Sequence, residues 1–156
     1  MWTVIDSPIG ELRLVAVDGS LTAIEFSPFA DTVAGERDDT DPVLVEAAQQ
    51  LQDYFEGRRK DFDLPLAATG TPFQQRVWAA LRTIGWGETT SYGELARRLG
   101  MVPGASRAVG LANGRNPIPI VVPCHRVIGA DGSLTGYAGG LDRKKILLEL
   151  ESSALF

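Results

Sequence analysis

Along WTVIDSPIGELRLVAVDGSLTAIEF, apolar and polar residues alternate at Leu12-Arg13-Leu14, and turn residues stand at Ser7-Pro8-Ile9-Gly10 and Asp18-Gly19. Alternation with period two between such turns predicts three short strands in an antiparallel meander. From Asp41-Pro42 the period changes. Leu44, Ala47, Ala48, Leu51 and Phe55 recur at helical spacing, with Asp41 as N-cap, Pro42 in the first turn and Gly57 as the stop. One helix is therefore expected to cover the sheet. LPLAATGTP, from Leu64 to Pro72, has the composition of a linker, which predicts a first domain over 1–68 and a second over 69–156.

The second half is patterned for helices. Thr71-Pro72 opens a helix whose Phe73, Val77, Leu81 and Ile84 form an apolar stripe ending at Gly85. Ser91 and Glu94 have capping-box spacing at the head of a short helix that Gly100 terminates. After the turn Met101-Val102-Pro103, another short helix spans roughly 104–113. Two short helices joined by a tight turn, with arginines on the second and beyond it, fit a helix-turn-helix. The expected fold is thus α/β (α+β): a small N-terminal antiparallel sheet with a covering helix, then a mainly helical, winged-helix-like C-terminal domain. The second helix of the pair, ASRAVGLAN, is small at Ala108, Gly110 and Ala112, and Arg107 is its main long side chain. It is ill suited to reading base edges in the major groove. It suits close, sequence-tolerant approach to a backbone, through the minor groove, with one arginine free to enter the base stack; tight helix packing explains the same small residues.

Charge sharpens this reading. The 156 residues carry a formal net charge of -5, which alone argues against nucleic-acid binding. Yet residues 1–66 hold five Lys/Arg against fourteen Asp/Glu, whereas residues 67–156 hold ten against six. Between Tyr92 and Arg126, five arginines (97, 98, 107, 115 and 126) face only Glu94. This window is either a solvated basic face or a surface for phosphates. A hydrophobic fraction of 44% and a charged fraction of 22% describe an ordinary globular protein. The start lacks the basic and apolar segments of a secretory signal, and no apolar run approaches bilayer length, so the cytoplasm is the default expectation and no membrane contact is implied.

IPIVVPCHRVIG holds the only cysteine and the only histidine, Cys124 and His125. A single pair builds neither an internal disulfide nor a four-ligand Cys/His zinc site. A lone cysteine after Ile120-Val121-Val122 reads equally as a buried strand end. Pro123, however, interrupts that strand immediately before Cys124, and the basic neighbours His125 and Arg126 are expected to lower the thiol's pKa. In an extended strand adjacent side chains face opposite ways, so Cys124 and His125 can exchange a proton only through a water or a turn in the backbone. Downstream, Asp131-Gly132 predicts a hairpin, and Gly136-Tyr137-Ala138-Gly139-Gly140 a flexible loop able to wall a flat ligand.

Pro123-Cys124-His125-Arg126-Val127 resembles the active-site signature of the methylated-DNA-protein cysteine methyltransferases, the O6-alkylguanine repair proteins. FQQRVWAALRTIGWGETTSYGELA, SRAVGLANGRNPIPIVVPCHRVIG and LTGYAGGLDRKKILLELE resemble family segments in the same order and cover nearly the whole second half. The first half resembles the family's small N-terminal domain. The resemblance implies irreversible transfer of the alkyl group of O6-alkylguanine, and of O4-alkylthymine, from flipped-out bases of duplex DNA to Cys124, once per molecule. By the same resemblance His125 and Glu151 complete a water-bridged relay to the thiol, and Asn116 ties the active-site turn to the helix-turn-helix. Tyr92 rotates the target phosphate and donates to the flipped guanine. Arg107 fills the gap left by the base, on a DNA-binding helix that includes Ala108 and Gly110. Pro119, Val127, Tyr137 and Ala138 shape the alkyl pocket, the carbonyls of Cys124 and Val127 reading the guanine amino group.

Arg98 and Arg115 are expected on phosphates. The implied partner is double-stranded DNA containing O6-alkylguanine, with no cofactor and no metal. A monomer is expected, and its cooperativity on DNA stays open. Two departures stand out: GMVPGASRAV is one residue longer than the family's usual turn, and Ala138 stands where many members have serine. A lesion-binding protein of the alkyltransferase-like kind would share the helix pair but lack Cys124; a transcriptional regulator would leave residues 123–126 without a purpose.

Overall fold

The computed structural model describes residues 1–31, 33 and 35–152, so residues 153–156 of the expected second domain lie outside the described residues. The chain divides into two compact units, Met1–Thr69 and a second beginning at Gly70.

In the first unit β1 (Trp2–Ile5), β2 (Leu12–Val17) and β3 (Ser20–Phe26) form the expected antiparallel meander, with Thr3 opposite Leu14 and Leu14 opposite Ile24. Asp18 and Gly19 both have positive φ at the second turn, as a two-residue hairpin requires. α1 (Pro42–Phe55) packs on all three strands, and the Asp41 carboxylate accepts from the N–H groups of Val43 and Leu44 at its head. Leu12, Leu14, Leu21, Leu44, Leu51 and Tyr54 are fully buried between helix and sheet. The alternation at Leu12-Arg13-Leu14 does not place Arg13 in water: it is only 5% exposed. Its guanidinium lies 5.7 Å from the Trp2 ring and 4.9 Å from the Phe29 ring and meets Glu25 at 2.5 Å, so two aromatic faces and a carboxylate replace its hydration.

In the second unit α2 (Pro72–Leu81) begins with a reciprocal capping box between Thr71 and Gln74. β4 (Thr90–Ser91) pairs in parallel with β5 (Val127–Ile128). Between them lie α3 (Tyr92–Arg98) and α4 (Ser106–Gly114), the expected helix-turn-helix. Only half of the capping box forms at α3: Ser91 accepts from the Glu94 N–H, but the Glu94 carboxylate turns to Arg97 and Arg98. Two bonds close the end of α3, from the Gly100 N–H to Arg97 and from the Met101 N–H to Ala96, and they need the left-handed Gly100, φ 73°. The longer turn is taken up as a single 3₁₀ turn, Pro103–Ala105, running into α4. Trp78 of α2 donates to the Ala112 carbonyl at 2.8 Å and fixes α4 from below.

Two expectations fail after α4. Residues 118–123 are not a strand but a coiled loop, in which Ile120 has φ 74° and the Val121 and Val122 N–H groups bond back to Pro119 and Ile118. Asp131-Gly132 makes a tight turn closed by Gly129 and Ser133, but no second strand follows, because β5 is paired with β4 instead. The last element is α5 (Leu141–Ser152). Among the described residues no helix is long and apolar enough to cross a membrane.

Candidate active site

The loop after α4 is shaped by one side chain. Asn116 donates from Nδ2 to the Val122 carbonyl at 2.7 Å and accepts the Ile118 N–H at 3.0 Å. Prolines at 117, 119 and 123 supply no N–H for a ladder, so a buried amide takes over the backbone pairing that a strand would provide. The strained Ile120 is held within this loop. A β-branched residue in the left-handed region costs about 1–3 kcal/mol and persists only where its surroundings fix it. The loop delivers Cys124 into a 3₁₀ turn, Cys124–Arg126, which β5 continues.

Cys124 is buried, and its carbonyl accepts from Val127 N–H and, at 3.4 Å, from Asn113 of α4. Burial pushes the thiol up to about 11; a hydrogen bond from Asn116 and the Lys144 charge oppose this without overcoming it. The expectation that basic neighbours depress it fails, and the geometry shows why. His125 is fully buried, and burial lowers its pKa despite the carboxylate beside it, so it is a neutral imidazole. Arg126, also buried, spends its charge on Glu151.

Glu151 on α5 is the hub of this cluster. Its Oε2 accepts from His125 Nε2 at 2.7 Å and from Arg126 Nη2 at 3.0 Å, and its Oε1 from Arg126 Nε at 2.9 Å. Burial works to raise its carboxyl, but these bonds prevail and hold it at about 2. An ionised carboxylate only accepts, so the neutral ring carries its proton on Nε2 and keeps a lone pair on Nδ1. Among the described residues that buried Nδ1 has no hydrogen-bond partner. Arg126 also donates from Nη1 to the Ile84 carbonyl at 2.5 Å, which ties the cluster to the turn that follows α2.

The remaining expected site residues spread around this centre. Pro119 and Val127 are buried, Tyr137 is half-buried and Ala138 is exposed. The Val127 carbonyl accepts from Lys144 Nζ at 2.6 Å, and the Cys124 carbonyl from the two donors above. The Cys124 carbonyl therefore holds two donors, one of them the long Asn113 contact, and the Val127 carbonyl holds the Lys144 ammonium. Tyr92 at the head of α3 shares a 2.6 Å hydrogen bond with the Thr135 hydroxyl. Gly110 is half-buried rather than outward-facing: a Cβ there would stand 3.5 Å from the Tyr92 ring. Arg107, Ala108, Leu111, Gly114 and Arg115 form the exposed face of α4, and Arg98 is exposed on α3, paired with Glu94 at 3.5 Å. Arg126 therefore leaves the basic window inferred from sequence.

Sequence reasoning missed three residues. Lys144 is fully buried with Nζ on two carbonyls, Arg126 acts inward, and Leu111 stands 64% exposed amid the outward face of α4. Only Leu111, an apolar residue on a face otherwise small and basic, left a signal in the sequence.

A buried cysteine backed by an imidazole and a carboxylate, behind a helix-turn-helix, narrows the class to proteins that do thiol chemistry next to nucleic acid. The chain belongs to the 6-O-methylguanine DNA methyltransferase family: the DNA binding domain of that family matches residues 72–153 and its ribonuclease-like domain residues 1–68. It is 54% identical over 150 residues to the methylated-DNA-protein-cysteine methyltransferase of Mycobacterium tuberculosis, spanning 96% of this chain and 90% of that one. The protein of that name from Methanosarcina acetivorans is 49% identical over 154 residues, 97% and 98% of the two chains. The crystal structure of Mycobacterium tuberculosis OGT in complex with DNA matches with a TM-score of 0.86 at 52% identity, covering 98% of this chain and 93% of that one.

Proposed function

We propose that this chain repairs DNA by transferring the alkyl group of O6-alkylguanine, and of O4-alkylthymine, to Cys124. The carrying observation is the buried Cys124 with a neutral His125 locked by Glu151 next to it, in a family whose members include a structure with DNA. An O6-alkyl group is inaccessible inside a duplex, so the base must be extruded, and a damaged pair opens at lower cost than an intact one. The exposed face of α4 suits this role: Ala108 and Gly114 allow close approach to the backbone, and Arg107 is free to occupy the gap in the stack.

With its pKa near 11 the thiol rests protonated. The lone pair on His125 Nδ1 takes the proton through a bridging water, while Glu151 stabilises the imidazolium that forms. Sulfur then attacks the alkyl carbon in line as the bond to O6 breaks. The Tyr92 hydroxyl donates to the leaving guanine, and the imidazolium gives its proton back through water, so that guanine ends with the proton that the thiol lost and His125 is neutral again. The product is a thioether that no group at the site can cleave, so each molecule acts once. Pro119, Tyr137 and Ala138 wall the alkyl group, and the guanine amino group donates to the Val127 carbonyl and to that of Cys124, where it displaces the long Asn113 contact.

Mass spectrometry after mixing with a duplex carrying O6-methylguanine tests this reading. The expected result is one added methyl group, on Cys124, and none in Cys124→Ser; a methylated wild type without modification at Cys124 overturns it.

A further inference from the structure

The Tyr92 hydroxyl does not stand alone. Its partner Thr135 lies 43 residues away, in the coil between β5 and α5, at an O···O distance of 2.6 Å. Thr135 is itself anchored: its carbonyl accepts from Lys144 Nζ at 2.9 Å, and the same ammonium donates to the Val127 carbonyl at 2.6 Å. Lys144 is fully buried on α5, so this clamp cannot be exchanged for water without opening the site. A continuous chain of bonds thus runs from β5, through Lys144 and Thr135, to the phenol at the head of α3.

We infer that Thr135 is a positioning residue for Tyr92, holding its phenol at the pocket mouth before the base arrives and supporting it as a donor afterwards. A threonine hydroxyl has one donor and two acceptor sites, as does a phenol. In the free protein the two oxygens share one hydrogen bond. When a guanine enters, the Tyr92 O–H turns to the base and the Thr135 O–H donates to the phenol oxygen. Donation to that oxygen polarises the phenol O–H and strengthens its bond to the base. The exchange breaks no covalent bond; it re-aims two hydroxyls already in contact. Serine keeps this hydroxyl, whereas valine keeps only the shape of threonine.

The inference rests on the proposed role of Tyr92, and a double-mutant cycle separates the two. Single-turnover methyl transfer from an O6-methylguanine duplex is measured at saturating protein for wild type, Thr135→Val, Thr135→Ser, Tyr92→Phe and Tyr92→Phe/Thr135→Val. Thr135→Val is expected to be about tenfold slower, the size of one neutral hydrogen bond, with affinity for unmodified duplex within about twofold of wild type. Thr135→Ser restores most of the rate. The double variant is no slower than Tyr92→Phe, because without the phenol hydroxyl Thr135 has nothing to position. Thr135→Val at the wild-type rate, or losses that multiply in the double variant, overturns the inference and leaves the alkyl-transfer reading intact. Should Thr135→Val misfold, the cycle run with Thr135→Ala gives the same two alternatives. A wild type that transfers no methyl group ends both readings.

Discussion

Replacing Glu151 with glutamine preserves the side chain's shape and removes its charge, and the structure assigns two separable consequences. Arg126 is left buried with Ile84 O and one amide oxygen where it had a carboxylate. Breaking one side of a buried ion pair costs about 3–5 kcal/mol. The carboxyl's fall from 4.5 to about 2 gives a similar figure, about 3 kcal/mol of stability at neutral pH. The sign is that of a depressed acid. The contribution is complete above pH 4.5 and disappears as pH falls toward 2, so wild type and variant converge in acid. The second consequence is chemical. If the amide NH₂ replaces Oε2, it faces the Nε2–H of His125 donor to donor. The ring can relieve this only by moving its proton to Nδ1, which removes the lone pair proposed to accept the thiol proton, and transfer should slow by about 100-fold or more. Urea unfolding followed by tryptophan fluorescence at several pH values reads the first effect, and single-turnover transfer reads the second. Adding Arg126→Met to Glu151→Gln removes the orphaned charge and should recover most of the stability but none of the rate. Equal stability at pH 7, a difference that persists at pH 2, or a double variant that regains its rate would show that the Glu151 charge does not have these two roles.

Arg107→Ala should slow repair in duplex DNA far more than reaction with free O6-benzylguanine, because a free base needs no extrusion; comparing the two rates decides, and equal losses would make the arginine structural. Duplex binding should show a log–log salt slope of roughly -3 to -5, for about three to five phosphates neutralised. Arg115→Ala should flatten it by about one, Arg98→Ala by less because Arg98 shares Glu94, and Lys60→Ala in the first unit not at all; titrations at several salt concentrations on unrelated duplexes measure each. Asp41→Ala should destabilise the first unit by about 1 kcal/mol through loss of the α1 cap, read from the shift of its urea midpoint.

Much of the fold was legible because it rests on local rules. Turn residues, alternation and caps placed β1 to β3, α1 and α2, and paired short helices marked the helix-turn-helix. What local pattern could not show depends on partners distant in sequence. The run Ile120-Val121-Val122 has the composition of a strand, but the buried amide of Asn116 and three prolines coil it into a loop. Arg126 reads as one more surface arginine until Glu151, 25 residues later, draws it inward. α5 is the clearest case. It buries Lys144, Leu147 and Glu151, at spacings of three and four, while Leu141 and Ile146 stay exposed, so the apolar residues alone mark no single face. The polar cluster sets the buried face, and the charged residues there hold the site together. The same burial explains the thiol: neighbouring basic residues in sequence predict activation, whereas their actual partners leave Cys124 protonated until a base acts on it.

Everything proposed for the site turns on Cys124 as the acceptor of an alkyl group from DNA. Intact-protein mass spectrometry with peptide mapping, after incubation with excess O6-methylguanine duplex, tests it most directly. The expected result is a gain of a single methyl group, located on Cys124, reaching one equivalent per protein and stopping there, with unmodified guanine recovered in the duplex. Continued turnover beyond one equivalent, methylation at another residue, or an unmodified protein bound to an unrepaired duplex would contradict it.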